Sequence, residues 1–308
     1  MKLSVGSSPH LKGKDTTQRI MLDVIIALVP AQIMSIVYFG ISALLLTVVC
    51  VVTAVLAEYL SRKVMKRNNT ISDLSAVVTG LLLALNLPST LPLWMGAFGS
   101  VVAIVVVKQF FGGLGQNFVN PAISARIILM LCFAGAMTNW VTPFDGVTSA
   151  TPLSTLSGGE GTLPKLWQMF IGFRGGSMGE TCSLALILGG LYLVIRKVIS
   201  PVIPLTFIGT VFVCSLFKGF EFALYSILSG GLMLGAIFMA TDYVTSPITK
   251  LGKVIYGIAC GLITVLIRFW GALPEGVSYA ILLMNILTPH IDNLTLPKPF
   301  GFKKEGKK

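Results

Sequence analysis

The sequence predicts an all-α integral membrane protein with about ten transmembrane helices, and three observations carry this prediction. Hydrophobic residues make up 54% of the 308 residues and charged residues only 11%, whereas soluble domains carry roughly 25% charged residues. The apolar residues form segments long enough to cross a bilayer, which takes about 20 residues of helix. The basic residues fall in alternate connections between these segments, as in membrane proteins with a fixed orientation.

The first half of the chain contains five apolar segments. Two uncharged stretches, 24–57 and 74–107, are each too long for one helix. The first is interrupted at Gly40 and the second by the proline-rich sequence from Asn86 to Pro92. Dividing each stretch at its break predicts four spans, and a further apolar segment after them predicts a fifth. They lie at about 20–39, 41–60, 72–87, 93–110 and 122–140.

A long polar stretch divides the two halves. Residues 141–180 contain five charged residues among many Gly, Ser and Thr, which predicts a loop outside the bilayer. Five further apolar segments follow at about 181–196, 202–217, 222–241, 254–271 and 276–291. The predicted parts are a cytoplasmic tail at 1–19, a five-helix half at 20–140, the outer-surface loop at 141–180, a second five-helix half at 181–292 and a basic cytoplasmic tail at 293–308.

The distribution of Lys and Arg orients the predicted helices. If the N-terminus is cytoplasmic, eighteen of the 23 basic residues lie inside. Only Lys165, Arg174 and Lys218 lie outside, and Arg126 and Arg268 lie within spans. The positive-inside rule therefore predicts a multi-pass protein of the inner (cytoplasmic) membrane with both termini in the cytoplasm and the 141–180 loop on the outer side. The net charge of +11 reflects this orientation, and no nucleic-acid partner is expected.

Two segments, 80–92 and 235–247, share an apolar start, a polar break and a final proline at the same spacing. Five spans in each half give the halves opposite orientations, as in two inverted five-helix repeats around a central site. Gly and Pro also recur at membrane helix ends without duplication, so both interpretations stay open. Inverted repeats and broken helices are typical of transporters, which makes a secondary transporter or channel the alternative function. A structural scaffold is a third class.

Several kinds of site have no support in the sequence. The five cysteines are isolated, without a Cys-x-x-Cys pair, and the two histidines, His10 and His290, lie far apart, so no metal site is expected. Motifs of nucleotide-binding loops and zinc proteases are also missing. Gly112, Gly113 and Gly115 precede no Lys-Ser/Thr pair, and they predict a tight turn rather than a phosphate loop.

One motif in the 141–180 loop carries chemistry. Asp145, Thr148, Ser149, Ala150 and Thr151 fit the pattern D-x-x-[ST]-[GS]-A-T, which resembles the acceptor sequence at which a flavin transferase esterifies the phosphate of FMN onto the last threonine. A threonine hydroxyl is a weak nucleophile, so its attack on phosphorus needs an external base and a metal ion. For the motif taken alone, an unmodified Ser/Thr-rich loop is the alternative.

The residues around Thr151 predict an extended acceptor. Ser149 and Ala150 are small, which lets the loop enter the cleft of a transferase. Pro152 disfavours helical backbone at the residue before it, so Thr151 is expected to be extended.

Three longer stretches resemble the signature sequences of the RnfD/NqrB family. They are SDLSAVVTGLLLALNLP at 72–88, KQFFGGLGQNFVNPA at 108–122 and GAIFMATDYVTSPIT at 235–249. The resemblance covers nearly the whole chain, from the basic first tail to Asp292, and the compact length is similar to that of the Rnf members. Ser149 stands where a glycine is usual, an exchange between small residues that leaves the acceptor prediction little changed.

The resemblance implies a membrane subunit of the Rnf complex, which passes electrons between reduced ferredoxin and NAD and couples this transfer to sodium or proton movement. It implies one FMN bound covalently to Thr151 and one non-covalent riboflavin in the same subunit. The expected partners are the other Rnf subunits (A, B, C, E and G), the flavin transferase and membrane lipid. Such a subunit belongs to an ion-translocating oxidoreductase and completes no reaction alone.

Ionisable residues in or beside the spans are further candidates for a site. Arg126 follows Asn120 near a helix start and is a candidate to bind a flavin oxygen or a phosphate group. Asp242 ends a span beside a run of Thr and Ser, and together with Asn120 and Arg126 it forms a predicted flavin or ion pocket. A structural role at a helix end is the alternative for each of them.

Three other charges have structural interpretations. Glu58 lies four residues before Arg62, which predicts an ion pair on one helix face. Asp73 lies at a helix start, where a carboxylate interacts favourably with the helix dipole. Arg268 lies near the outer end of a span, where it is expected either to extend toward the interface or to hold a flavin.

Overall fold

A computed structural model describes residues 16–144, 148, 151–156, 163–271 and 275–297, and these residues form a helical assembly. Apart from an isolated β-bridge between Val141 and Thr148, the described residues contain no β-structure, which confirms the all-α class. The helices are α1 (Thr17–Phe39), α2 (Ile41–Val64), α3 (Ser75–Leu85), α4 (Leu93–Val101), α5 (Pro121–Cys132), α6 (Ala134–Met137), α7 (Pro152–Leu156), α8 (Leu166–Ile171), α9 (Ser183–Ile195), α10 (Val202–Ser215), α11 (Phe220–Leu228), α12 (Leu232–Leu234), α13 (Lys250–Trp270) and α14 (Val277–Thr295). Segments of π-helix continue α4 (Val102–Gln109) and α12 (Gly235–Met239). A 3-10 turn precedes α3 (Ile71–Asp73), and another follows α10 (Leu216–Lys218).

The predicted apolar segments recur as helices. Three of the described helices, α1, α2 and α13, are long and apolar enough to cross a membrane. A fourth candidate is a bent pair, Phe220–Leu228 with Leu232–Met239, whose parts meet at 63°. Shorter apolar helices accompany them at Ser75–Leu85, Leu93–Gln109, Pro121–Cys132, Ser183–Ile195 and Val202–Lys218. The count of ten bilayer crossings stays a prediction.

Local sequence explains where several helices begin. The Thr16 side chain caps α1, and the Asn120 side chain accepts hydrogen bonds from two backbone N–H groups in the first turn of α5, where Pro121 is the first residue. Such caps satisfy N–H groups that have no partner within the helix. Asp73 accepts a hydrogen bond at 2.9 Å from the backbone N–H at the start of α3, as predicted for a helix start. Gly40, with φ of 69°, separates α1 from α2.

Two predicted spans are interrupted in the structure. The segment 122–140 ends as a helix at Cys132 and continues only as the four-residue α6. The segment 222–241 is broken between α11 and α12, where Gly230 and Gly231 have φ of 70° and 66°. Glycine adopts this left-handed conformation without steric cost, and an α-helix does not continue through it.

The segment predicted as an outer-surface loop packs partly against the helices. Backbone N–H groups of Met178 and Gly179 donate to the carbonyl oxygens of Leu87 and Leu85 at 3.1 and 2.7 Å. These bonds satisfy carbonyl groups at the C-terminal end of α3, which have no partner within the helix itself. The last residues of the 141–180 segment therefore belong to the helical body.

The helices pack in a few close pairs. α2 packs against α3 and α4, α1 against α9, and α10 against α13, which also contacts α14. At the contact between α2 and α3, a Cβ atom on Gly80 would lie 2.9 Å from both the Cys50 carbonyl oxygen and Val51 Cα. Glycine at this position lets the two helices approach closely, as is common between membrane helices.

Candidate functional site

Two regions bring buried charged and polar side chains together. The first lies near the C-terminal end of α3 and the start of α14, and we call it the ionic cluster. Its five residues are each at most 7% exposed; they are Arg126, Arg174, Glu180, Arg268 and Glu275. The second region is a cavity at the N-terminal ends of α1, α3 and α5.

Arg126 joins three helices in the ionic cluster. Its Nη1 donates to Asn86 Oδ1 at 2.9 Å and to Ser278 Oγ at 3.1 Å. Its Nη2 forms an ion pair with Glu275. Asn86 follows α3, Arg126 lies on α5 and Ser278 begins α14, so one guanidinium connects segments that are distant in sequence. A planar group with five donors is suited to this role.

Arg174 and Arg268 satisfy the carbonyl groups at the break between α11 and α12. Arg268 Nη1 donates to the Ser226 oxygen at 2.6 Å, and its Nη2 donates to the oxygens of Ser229 and Gly230 at 3.0 and 3.3 Å. Arg174 donates to the Leu228 oxygen. In an apolar environment the backbone groups freed by a helix break need internal partners, and these two arginines supply them. The expectation that Arg268 extends toward the interface is wrong.

The two glycines at the break lie between the parts of the cluster. A Cβ atom on Gly231 would lie 3.6 Å from Arg126 Nη1 and 3.8 Å from Glu180 Oε2. Glu180 Oε2 also accepts a hydrogen bond from Ser177 Oγ at 2.6 Å. The cluster is therefore contiguous around Gly231, and a larger residue there would contact two of its charged groups.

Within the cluster, burial and the neighbouring charges shift pKa values in opposite directions. Burial raises the pKa of the Glu275 carboxyl from its ordinary value, and the Arg126 guanidinium opposes this shift. Burial lowers the pKa of the Arg174 guanidinium, and the Glu180 carboxylate opposes that shift. Glu275 and Arg174 thus each have an opposite charge nearby, and removal of that partner leaves a buried charge unpaired.

Thr151 lies at the start of α7 and is 8% exposed. Its Oγ1 accepts a hydrogen bond from the Ser154 backbone N–H at 3.2 Å, and its carbonyl oxygen accepts one from the Thr155 N–H at 3.1 Å. The structure therefore places the hydroxyl as a cap on the first turn of α7, in a residue that is buried rather than exposed. An N-cap residue typically keeps a non-helical backbone, so the cap does not oppose the extended backbone predicted from Pro152, which stays a prediction.

The other residues of the acceptor motif are described only in part. Thr148 is exposed and pairs with Val141 in the isolated β-bridge. Asp145, Ser149 and Ala150 lie outside the described residues.

The cavity brings two predicted site residues together. Asn120 and Asp242 both line it, and Asn120 Nδ2 donates to the Met239 oxygen at 3.3 Å. The Asp242 carboxylate accepts from Thr245 Oγ1 at 3.2 Å. Arg126 does not line this cavity, although Asn120 begins the same helix. The predicted three-residue pocket is therefore divided between the cavity and the ionic cluster.

A buried ion pair stands beside the cavity. Glu58 accepts hydrogen bonds from Lys108 Nζ at 3.2 and 3.0 Å, from Gln109 Nε2 at 3.0 Å and from Thr70 Oγ1 at 3.0 Å. The predicted pairing of Glu58 with Arg62 is wrong, because the tertiary contact with the π-helical segment provides a closer partner. Lys108 also lines the cavity, so the pair fixes a positive charge at its edge.

Sequence reasoning missed the pairs that connect distant segments. Glu58 and Lys108 are 50 residues apart, and Arg126 and Glu275 are 149 apart. The available signal was the scarcity of acidic residues, 12 in the whole chain. A carboxylate near the apolar segments of such a chain needs a basic partner, although the sequence does not say which one.

The fold and these regions define a class of protein: an all-helical membrane protein with a broken helix, a buried ionic cluster and a cavity at the ends of three helices. Family comparison then identifies its relatives. The chain belongs to the NQR2, RnfD, RnfE family, which matches residues 4–301. This confirms the resemblance seen in the sequence.

Relatives from three bacteria are similar over nearly their full length. The chain is 48% identical to the D subunit of the Na(+)-translocating ferredoxin:NAD(+) oxidoreductase complex of Acetobacterium woodii, over 100% of this chain and 99% of that one. It is 42% identical to the D subunit of the proton-translocating ferredoxin:NAD(+) oxidoreductase complex of Clostridium ljungdahlii, over 98% of this chain and 97% of that one. It is 37% identical to the D subunit of the ion-translocating oxidoreductase complex of Stutzerimonas stutzeri, over 96% of this chain and 95% of that one.

Proposed function

We propose that this chain is the RnfD-type membrane subunit of an ion-translocating ferredoxin:NAD oxidoreductase of the Rnf type. The observation that carries the proposal is the full-length similarity to relatives that are named as the D subunits of such complexes. The proposed reaction is electron transfer between reduced ferredoxin and NAD, coupled to ion movement across the membrane. The chain acts within the assembled complex and completes no reaction alone.

The proposed electron carrier in this chain is FMN, bound through a phosphoester to the Thr151 oxygen. The acceptor motif supports this assignment, and so does the approach of Leu153, two residues after Thr151, to the helix break beside Arg268, because the ester is anionic. When bound, a flavin accepts two electrons and releases them singly. The Thr151 hydroxyl is buried and engaged in the α7 turn, so attachment by the flavin transferase requires this turn to open.

We propose the cavity as the site of a second, non-covalent flavin, riboflavin. Its walls include the apolar side chains of Val24 and Phe238, which suit a planar aromatic ring, and its polar lining includes Lys108, Asn120 and Asp242. An apolar cleft with a few directed polar groups is typical of cofactor sites. In this assignment Lys108 supplies a positive charge at the edge of the site, and Asn120 and Asp242 orient the bound molecule.

The proposed location is the inner membrane, with both termini in the cytoplasm and the 141–180 segment on the outer side. The asymmetry of Lys and Arg supports this orientation. The proposed partners are the other Rnf subunits (A, B, C, E and G), the flavin transferase and membrane lipid. The proposed coupling ion is sodium or a proton, since the relatives' names include both.

A secondary transporter or channel is the second candidate function. The 63° break between α11 and α12 favours it, because broken helices often frame a transport site. The buried charges near the break are also compatible with a transport path. Such a protein needs no covalent flavin, and this difference makes the two functions easy to distinguish.

The test is to produce the complex in cells with a flavin transferase and to separate this subunit under denaturing conditions. We expect a band that fluoresces under ultraviolet light and a mass increase equal to one attached FMN. Thr151→Val removes the acceptor oxygen at nearly constant volume and should abolish both signals. Thr155→Val, a matched change in the same turn, should keep them. A colourless wild-type band of unmodified mass contradicts the flavin proposal and favours the transporter.

A further inference from the structure

The segment that begins at Thr151 reaches the ionic cluster through the break between α11 and α12. Leu153, two residues after Thr151, is buried against this break. A Cβ atom on Gly230 would lie 2.7 Å from both Leu153 Cδ2 and Arg268 Nη2. The Arg268 guanidinium and the residues just after Thr151 therefore approach the same point of the backbone.

The ionic cluster contains more positive than negative charge. Among the described residues it has three guanidinium groups and two carboxylates, all at most 7% exposed. One positive charge is thus left without a counter-charge in the described part of the chain. An unpaired buried charge is strongly destabilising, so a nearby anion would stabilise this arrangement.

The α11 carbonyl groups balance only part of this charge. A helix terminus is equivalent to about half an elementary charge, and Arg174 shares the carbonyl groups of α11 with Arg268. Arg268 also keeps an unused donor, because its Nε is buried and has no hydrogen-bond partner in the described part of the chain. A purely structural capping role leaves both the charge and this donor unexplained.

We propose that the ionic cluster is the binding site for the phosphodiester of flavinylated Thr151, with Arg268 as its main positioning residue. This inference rests on the proposed attachment of FMN to Thr151. A phosphate esterified on both sides carries one negative charge, which equals the excess in the cluster. Arginine is suited to phosphate oxygens because its donors form a planar fork. The phosphate of the flavin is then held at the break between α11 and α12.

The consequence is that flavin attachment stabilises the 141–180 segment through Arg268. The assembled complex should be compared with and without flavin, the second form being produced in cells that lack the flavin transferase, which leaves the Thr151 cap intact. The readout is the rate at which a protease cleaves the 141–180 segment from the outer side. We expect the flavin to slow cleavage roughly tenfold in the wild-type background, as for one charge-assisted hydrogen bond.

The forms with and without flavin are then compared in an Arg268→Gln background, which removes the positive charge of this side chain. We expect the flavin-dependent protection to disappear, although the fluorescent band remains. The matched control is Arg196→Gln, which alters an arginine of a separate ion pair with Asp23 and should keep the full protection. Each comparison is made within one background, so general destabilisation by the arginine substitution cancels.

Glu275→Gln provides an independent variant that retains every arginine. It raises the excess positive charge in the cluster, so the flavin should protect the segment more strongly than in the wild type. Equal flavin-dependent protection in the wild type, Arg268→Gln and Glu275→Gln overturns the inference. If the Arg268→Gln chain does not accumulate, unchanged protection in Glu275→Gln alone overturns it. Absence of the fluorescent band from the wild type is a different result, and it contradicts the attachment of FMN itself.

Discussion

Lys108 Nζ lies 3.2 and 3.0 Å from the two carboxylate oxygens of Glu58, and both side chains are almost completely buried. The same ammonium group donates to Ser75 Oγ at 2.6 Å. This pair joins the cytoplasmic end predicted for α2 to the π-helical continuation of α4 and to the start of α3. It sets the charge at the edge of the cavity assigned to riboflavin.

Breaking this pair should destabilise the protein strongly. Lys108→Met leaves the Glu58 carboxylate buried without its cation, which typically costs about 3–5 kcal/mol. We expect a large decrease in the thermal unfolding temperature of the purified complex. Combining Lys108→Met with Glu58→Gln should recover part of the loss, since no buried charge remains.

The control for that experiment is the pair of Arg196 and Asp23. Arg196 is 40% exposed in its side chain, so water can replace its contact, and Arg196→Gln should cost less than about 1 kcal/mol. Equal losses for Lys108→Met and Arg196→Gln would contradict a special role for the buried pair.

Gly230→Ala should destabilise the broken helix. Its φ of 70° is unfavourable for alanine, and the added methyl group would lie 2.7 Å from Arg268 and Leu153. A loss of about 2 kcal/mol or more in unfolding free energy is expected. Gly209→Ala, in the middle of α10 with open space around it, should be neutral or stabilising by up to about 1 kcal/mol. The opposite order of stability would show that the break tolerates a side chain.

Filling the cavity should remove the non-covalent flavin selectively. Val24→Trp places a large ring in the cavity, and the riboflavin released when the purified complex is denatured should fall to a small fraction of the wild-type amount. Val29→Trp is a matched change on the same helix, at a side chain that is 42% exposed, and should have no effect. The covalent fluorescent band should persist in both. Wild-type riboflavin content in Val24→Trp would place this flavin elsewhere.

The orientation can be tested with single cysteines in a chain whose native cysteines are replaced. Lys165→Cys and Lys250→Cys are both exposed positions, and the predicted topology places them on opposite sides. A membrane-impermeant maleimide added outside intact cells should label the first and spare the second. The reverse pattern would invert the predicted topology.

The proposed attachment of FMN to Thr151 rests on a short motif, which predicts some properties of this residue and not others. The motif and its neighbours predict the acceptor residue, because the chemistry depends on a local sequence that a transferase recognises. The same residues predict an extended backbone, which stays a prediction, and the structure adds that Thr151 is buried and caps a helical turn. The motif does not predict this burial, because the cap and the packing of Leu153 are formed only in the folded chain.

The sequence by itself determined the membrane class, the family and most helix positions, because apolar runs, charge asymmetry and signature stretches are local properties. Only the tertiary structure decided which charges meet. Glu58 pairs with Lys108, and Arg126 pairs with Glu275, 149 residues away. Burial makes such pairing necessary, but helix packing selects the partners, so no pattern along the chain determines them.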